Sequence, residues 1–437
     1  MRRHWCLALV AALLLSVAVP ATDVSGAEFA RYEFQRTWER TDLPVQLGRA
    51  ARTWMWGPGP ITPEVWERYA EAEGGARVVQ YFDKTRMELN EGEPYDSPWR
   101  VTNGLLAKEL VTGQRQYGHA TFVDYGPAEI NVAGDPDDTV GPTYATFREL
   151  LQAPPVPVGQ VITATLDRSG TVGNDPSLAQ YGVTAAVFVP ETNHTVASPF
   201  WAFMNASGPI AEAGFIREGP LFPNPFYATG FPITEAYWTT VRVGGVPKRV
   251  LVQVFERRVL TYTPDNPPGW QVEAGNVGQH YYRWRYELAP DRGSRNNPIP
   301  RGEAAMLYGD WEVRVVGVIP NATELVLREN MFNDPPKPGY QFFIVTIEAT
   351  YRGPGSARFD GGFRLRAVGP ANVSYSTFED SCGVIPDEIS DREVFSGGTI
   401  RGNVCWQVRS SDAENLLMYD DPFLADRYVT TFFQLTP

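Results

Sequence analysis

Histidine and cysteine are scarce in this chain, with four and three copies among 437 residues. Chemistry that depends on imidazole, thiolate or protein-bound zinc has little to draw on. His119, His194 and His280 stand apart from any nucleophile motif. There is no G-x-S-x-G elbow, no H-E-x-x-H pair and no Cys/His run with zinc spacing. Structural or surface histidines are the expected reading, with no metal site and no cofactor. Basic charge is short as well. The formal net charge is −13, and the lysines and arginines form no stripe. That balance argues against nucleic acid and anionic membrane surfaces as partners. Past the N-terminus no apolar run reaches spanning length, so no transmembrane segment is expected in the mature chain.

Turn formers and rings are plentiful instead. The 40 glycines, 37 prolines and 13% aromatic content imply many turns and short strands. The length allows about two to four domains. At the start, Arg2 and Arg3 precede an apolar run over 7–19, and Ser25-Gly26-Ala27 fits a small-residue cleavage site, with Ala21 as a second candidate. This is the pattern of a secretory signal peptide, assigned to 1–27, so the mature protein is expected to be secreted or held at the cell surface. Cys6 lies inside it. Cys382 and Cys405 then meet an oxidising compartment and are expected to form one disulfide.

The chain is organised around 250–284, VLVQVFERRVLTYTPDNPPGWQVEAGNVGQHYYRW, because a degraded copy lies upstream at 78–110. Val79 to Lys84 stands for Val252 to Arg257, Trp99-Arg100-Val101 for Trp270-Gln271-Val272, and Gly104 for Gly275. Pro60-Ile61-Thr62 and Gly74-Gly75 precede the first copy, and Pro232-Ile233-Thr234 and Gly244-Gly245 the second. Each copy predicts a β-hairpin followed by a short helix. Asn103 is expected to cap the first such helix and Gly113 to stop it. Gly244-Gly245 is expected to be a two-residue hairpin turn. A further amphipathic helix is predicted over 30–41, and loop from Glu218 onward.

These signals give a first repeat unit at 28–142, then a joint and second repeat unit at 143–290. The polar run DRGSRNNPIPR opens a linker at 291–302, where few contacts are expected to cross. Beyond it, alternation in WEVRVVGV and in FFIVTIEATY predicts short strands of an immunoglobulin-like sandwich over 303–437. The fold class is therefore mainly β: a duplicated β-hairpin and short-helix region followed by a C-terminal immunoglobulin-like β-sandwich.

The run from GFPITEAYW through NVGQHYYRWRY resembles an uncharacterised repeat of exported bacterial surface proteins and is more distantly similar to the LGFP-type repeats of cell-wall proteins. The LGFP likeness implies attachment to the cell envelope. The C-terminal part, through WEVRVVGV, PPKPGYQFFIVTIEATYRG and SGGTIRGNVCWQV, resembles the telokin-like immunoglobulin-type domain of secreted bacterial antigens. That family implies a sandwich with an interaction role.

Candidate chemistry is thin. Asp83 and Glu256 hold equivalent hairpin turns and read either as a pair of catalytic carboxylates or as hairpin-end ion partners with Lys84 and Arg257. Trp54, Trp56 and Trp201 read either as a platform for sugar rings or as core. Asp135, Asp137 and Asp138 read as a solvated turn before a calcium loop, for want of the EF-hand spacing. The favoured function is a non-catalytic binding or adhesion module for a protein or an envelope polysaccharide. The candidate contact residues are Trp54, Trp56, Asp83, Trp201 and Glu256. A carbohydrate-active enzyme and a structural spacer of a surface layer are the alternatives.

Overall fold

The computed structural model describes residues 26–389, 391–422, 425 and 428–436. The expected signal peptide lies outside the described residues except for Gly26 and Ala27. Residues 28–142 and 143–290 each contain four strands paired antiparallel in chain order and followed by a short helix. The first sheet runs Val65–Arg68, Ala76–Phe82, Thr85–Leu89, Val101–Asn103 in chain order, and helix Leu106–Thr112 follows it. In the second sheet Tyr237–Val243, Val246–Val254, Val259–Tyr262 and Val272–Ala274 take the same order, followed by helix Val277–Arg283. Two strands of the joint, Ala164–Leu166 and Val172–Asn174, extend this sheet beside Tyr237–Val243. Gly244 and Gly245 both sit at positive φ between the paired Val243 and Val246, as a two-residue turn with right-handed strand twist demands.

The same side chains do the same work in both sheets. Gln80 Nε2 donates to Thr62 O at 2.9 Å, and Gln253 Nε2 to Thr234 O at 2.9 Å. The threonine hydroxyls accept from Tyr81 N and Val254 N, each at 3.2 Å. The glutamine carbonyls accept from Ala30 N and Ala197 N, each just ahead of a helix. A buried amide without partners would be costly, so these pairs fix where each helix begins.

The two units share one core. Val79, Tyr81, Leu106 and Leu110 pack with Val252, Val254, Val277 and Tyr281. Each hairpin turn also caps the other unit's short helix. Gln279 N donates to Asp83 O at 3.1 Å, and Lys108 N donates to Glu256 O at 3.0 Å. The expected Asn103 cap is not made. Asn103 ends a strand, and its Oδ1 accepts from Thr85 Oγ1, so the facing hairpin satisfies the helix end instead. Gly113 does stop that helix, in the left-handed conformation.

The C-terminal region is a sandwich. Ala304–Leu307, Trp311–Ile319, Tyr340–Tyr351 and Thr399–Arg409 form one sheet. Ser374–Tyr375, Leu365–Val368, Leu417–Asp420 and Phe432–Gln434 form the other. Trp311, Val313, Val315, Phe343, Val345, Ile347 and Trp406 fill the space between them. Trp406 Nε1 donates across to Leu365 O. Phe342 and Ile344 are buried on the opposite face, under helix Thr323–Glu329 and the Cys382–Cys405 disulfide.

The segment 291–302 is tied down at several points, against the expectation of few contacts. Asp291 pairs with Arg285 at 3.0 Å and with Arg115. Asn296 and Asn297 donate to Tyr286 O and Pro290 O. Ile299 bridges in parallel to Phe433 and is buried in the sandwich core. The asparagines that read as linker bond backbone on the N-terminal side, and the main chain of Gly293 and Ile299 bonds Phe432 and Gln434 of the sandwich.

Candidate ligand groove

The N-terminal helix, Tyr32–Gln46, is longer than predicted and has two working faces. Phe34 and Trp38 point into a core with Met55, Trp56 and Phe82. Tyr32, Arg36, Glu39, Leu43 and Leu47 recur at helical spacing and line a groove of about 770 Å³. The facing wall is a hairpin, Ser207–Glu212 with Phe215–Pro220. Only its last residues, from Glu218, lie in sequence expected to be loop, and no element is predicted over 206–217. Ala213 and Gly214 make its turn, both at positive φ. Arg40 clamps helix to hairpin by donating to Leu221 O, Pro220 O and Glu212 Oε1. Burial lowers its pKa, and Arg217 lowers it further.

One end of the groove is aromatic. Tyr32 is 58% exposed and stacks on Tyr95, with ring centroids 6.4 Å apart and planes 7° from parallel. Arg36 donates to Tyr95 O and lies over its ring. The loop residues Asp96 and Ser97 complete this end. At the other wall Phe215, at the hairpin tip, is 75% exposed.

The floor is backed by buried donors. Trp56 lines it and is 1% exposed, and its indole Nε1 has no acceptor among the described residues. Behind it, Arg258 lies 4.5 Å from the ring and donates to Met55 O, leaving Nε and Nη2 without acceptors. Burial pulls the Arg258 pKa down to about 9 although Asp42 opposes the shift. Asp42 itself accepts from Met55 N, Trp56 N and Gly57 N. Burial pushes its pKa up to about 6 against those three N–H donors.

The residues singled out from sequence are dispersed. Trp56 is packed, and Trp54 is half-buried against Trp38. Trp201 packs on Phe226. Asp83 takes Gln279 Nε2 at 2.6 Å, and Glu256 takes Phe231 N and pairs with Lys108 at 3.5 Å. The two carboxylates are engaged separately, each by a side chain of the short helix that faces its turn. Asp135 accepts from Gly244 N and Gly245 N, and Asp138 from Val140 N, Gly141 N and Arg242 N. That acidic loop is therefore a clamp on the second unit's hairpin turn. His194 is buried against Glu235, and His280 against Tyr144. Among the described residues no group of three or more His, Cys, Asp or Glu could hold a metal ion.

Sequence reading missed Arg36, Glu39, Tyr95, Asp96 and Phe215. The second stripe of the helix, opposite Phe34 and Trp38, is the signal that points to two of them. It also missed a buried ion network. Glu67 pairs with Arg86 at 2.9 Å and Arg285 at 3.4 Å, and accepts from Tyr81 and Tyr286 hydroxyls. Glu88 joins through Arg86 and Arg77, and Asp291 through Arg285 and Arg115.

No family model matches the chain, so neither the LGFP-type repeat nor the telokin-like domain is supported by one. No curated protein matches it either. Solved structures similar to part of it include the secreted protein MPT63 from Mycobacterium tuberculosis, at 15% identity over 31% of this chain and 97% of that one, with a TM-score of 0.23. The yjhA protein from Bacillus subtilis shares 13% identity over 31% and 98%, with a TM-score of 0.21. A β-sandwich protein from Clostridium difficile 630 shares 8% over 34% and 99%, also at 0.21. No helix among the described residues is long and apolar enough to cross a membrane.

Proposed function

We propose that this protein is a non-catalytic binding module working outside the cell, secreted or at its surface, on a protein or polysaccharide of the envelope. The observation that carries the reading is the groove between the N-terminal helix and the hairpin 207–220. It combines exposed rings with charges of both signs, which is how recognition sites are made. Asp83 and Glu256 are engaged in turn capping, which supports a structural rather than catalytic role for that pair. The reading includes export through the segment 1–27 and an origin of 28–142 and 143–290 as two copies of one unit. It keeps 291–302 as the junction to the sandwich 303–437.

The test is co-sedimentation of the purified mature chain with insoluble envelope fractions from Gram-positive and Gram-negative cells. Retention that falls when Tyr32→Ala and Phe215→Ala are combined is the expected result. Protein that stays in the supernatant and instead assembles into sheets or filaments would leave the surface-layer spacer in its place.

A further inference from the structure

We infer that the groove holds one strand of a linear, uncharged glycan. This rests on the binding reading above and adds the chemical class of the ligand. The groove follows the whole helix Tyr32–Gln46, and 15 residues at 1.5 Å rise make it about 22 Å long. A site of that length fits a polymer better than a single small ring.

The lining selects the polymer. Arg36 and Arg40 face it, and so do Glu39, Asp96 and Glu212. A polyanion would meet three carboxylates and a polycation two guanidiniums. An apolar peptide or acyl chain would strip water from these charges, of which Arg40 and Glu212 already pair at 3.0 Å, without replacing its hydrogen bonds. A hydroxyl group both donates and accepts, so a neutral sugar satisfies carboxylate and guanidinium alike.

The rings supply the flat surface. Tyr32 is held in plane by Tyr95, and Arg36 fixes Tyr95 through its carbonyl. A sugar ring laid on that face buries its C–H side at little ordering cost, because the platform is already set. Phe215 closes over the chain from the opposite wall. Trp56 adds its ring to the floor beneath the chain.

The experiment is calorimetric titration of the mature chain with hexamers of β-1,4-linked glucose, β-1,4-linked N-acetylglucosamine and α-linked mannose. A hexagalacturonate and an apolar dodecapeptide serve as comparison ligands. At least one neutral hexamer is expected to bind more tightly than both comparisons by about tenfold. Tyr32→Ala and Phe215→Ala are each expected to weaken that binding by about tenfold, and Tyr32→Phe by about twofold or less. Both side chains are exposed, and circular dichroism of the variants checks that they fold. Binding of the dodecapeptide or the galacturonate in preference overturns the assignment. So does silence from all three neutral hexamers, or neutral binding that Tyr32→Ala leaves intact. The two readings fail separately. Envelope retention that protease treatment of the fraction abolishes, together with silent hexamers, removes the glycan and leaves the binding module with a protein ligand.

Discussion

Glu67 is the residue on which the packing of the two units bears most. Burial alone pushes its carboxyl upward, but Arg285, Arg86 and Arg77 outweigh burial and hold it at about 2. The folded value lies below the ordinary 4.5, so the pair contributes stability that is complete above that value. It is lost as pH falls from there toward 2. Acid titration of the fold, followed by circular dichroism, should show a transition in that window, and Glu67→Gln should flatten it. Arg86→Met would strand Glu67 and Glu88 without their shared cation and should cost about 3–5 kcal/mol in urea denaturation. None of this is legible in the sequence. Arg77, Arg86 and Arg285 carry no local signal of pairing, Asp291 reads as linker, and the longest pairing, Glu67 with Arg285, joins residues 218 positions apart. Only the closure of the two units on each other brings them to one place. The glutamine and threonine pairs are the opposite case. Gln80 and Gln253, Thr62 and Thr234 recur in the sequence because the same two hydrogen bonds recur in the fold.

Elements were legible where burial has a period. Val313, Val315 and Phe343 to Ala349 alternate in the sequence and form sandwich core in the structure. The hairpin 207–220 was not legible because its second strand is almost wholly in water and each strand carries a single branched residue, Ile210 or Ile216, among Gly, Pro and Glu. The same blindness hid the groove, for which that hairpin is one wall. The seat of the second unit's helix on the first unit's hairpin depends on Gly278. A Cβ there would stand 1.9 Å from Phe82 O, and backbone cannot yield as a side chain can. Gly278→Ala should cost about 1–3 kcal/mol, despite alanine's better helix propensity. Ala107 is the corresponding residue of the first unit, so Ala107→Gly should cost only about 1 kcal/mol. Comparing the two thermal midpoints checks the argument. In the sandwich, Cys382 and Cys405 are bonded across a separation of 23 residues. Replacing both with serine should remove about 3 kcal/mol, read from the denaturation midpoint of that region.

At the scale of the molecule, the mainly β fold with a C-terminal sandwich is legible in the strand alternation beyond 303, but the contacts that hold 291–302 are not. Trypsin has sites there at Arg292, Arg295 and Arg301. With Asp291 in the ion network and Ile299 in the sandwich core, these sites should resist cleavage. Met331 and Phe332 are 86% and 83% exposed on a loop of the sandwich, so chymotrypsin should cut there well before trypsin opens the junction. Mass spectrometry of timed digests gives the order, and early cleavage at Arg295 would return the junction to a loose tether. The exchange by which each hairpin turn closes the other unit's helix has a consequence for how the chain finds its partner surfaces. Neither half is self-sufficient, yet nothing in the exchange requires that both halves belong to one polypeptide. Refolded at high concentration, two molecules can trade halves and emerge as an intertwined dimer that keeps the contacts between halves and gives up only those of the connecting loop. Two fragments divided in the loop near 140, produced apart, should assemble on mixing into one working whole.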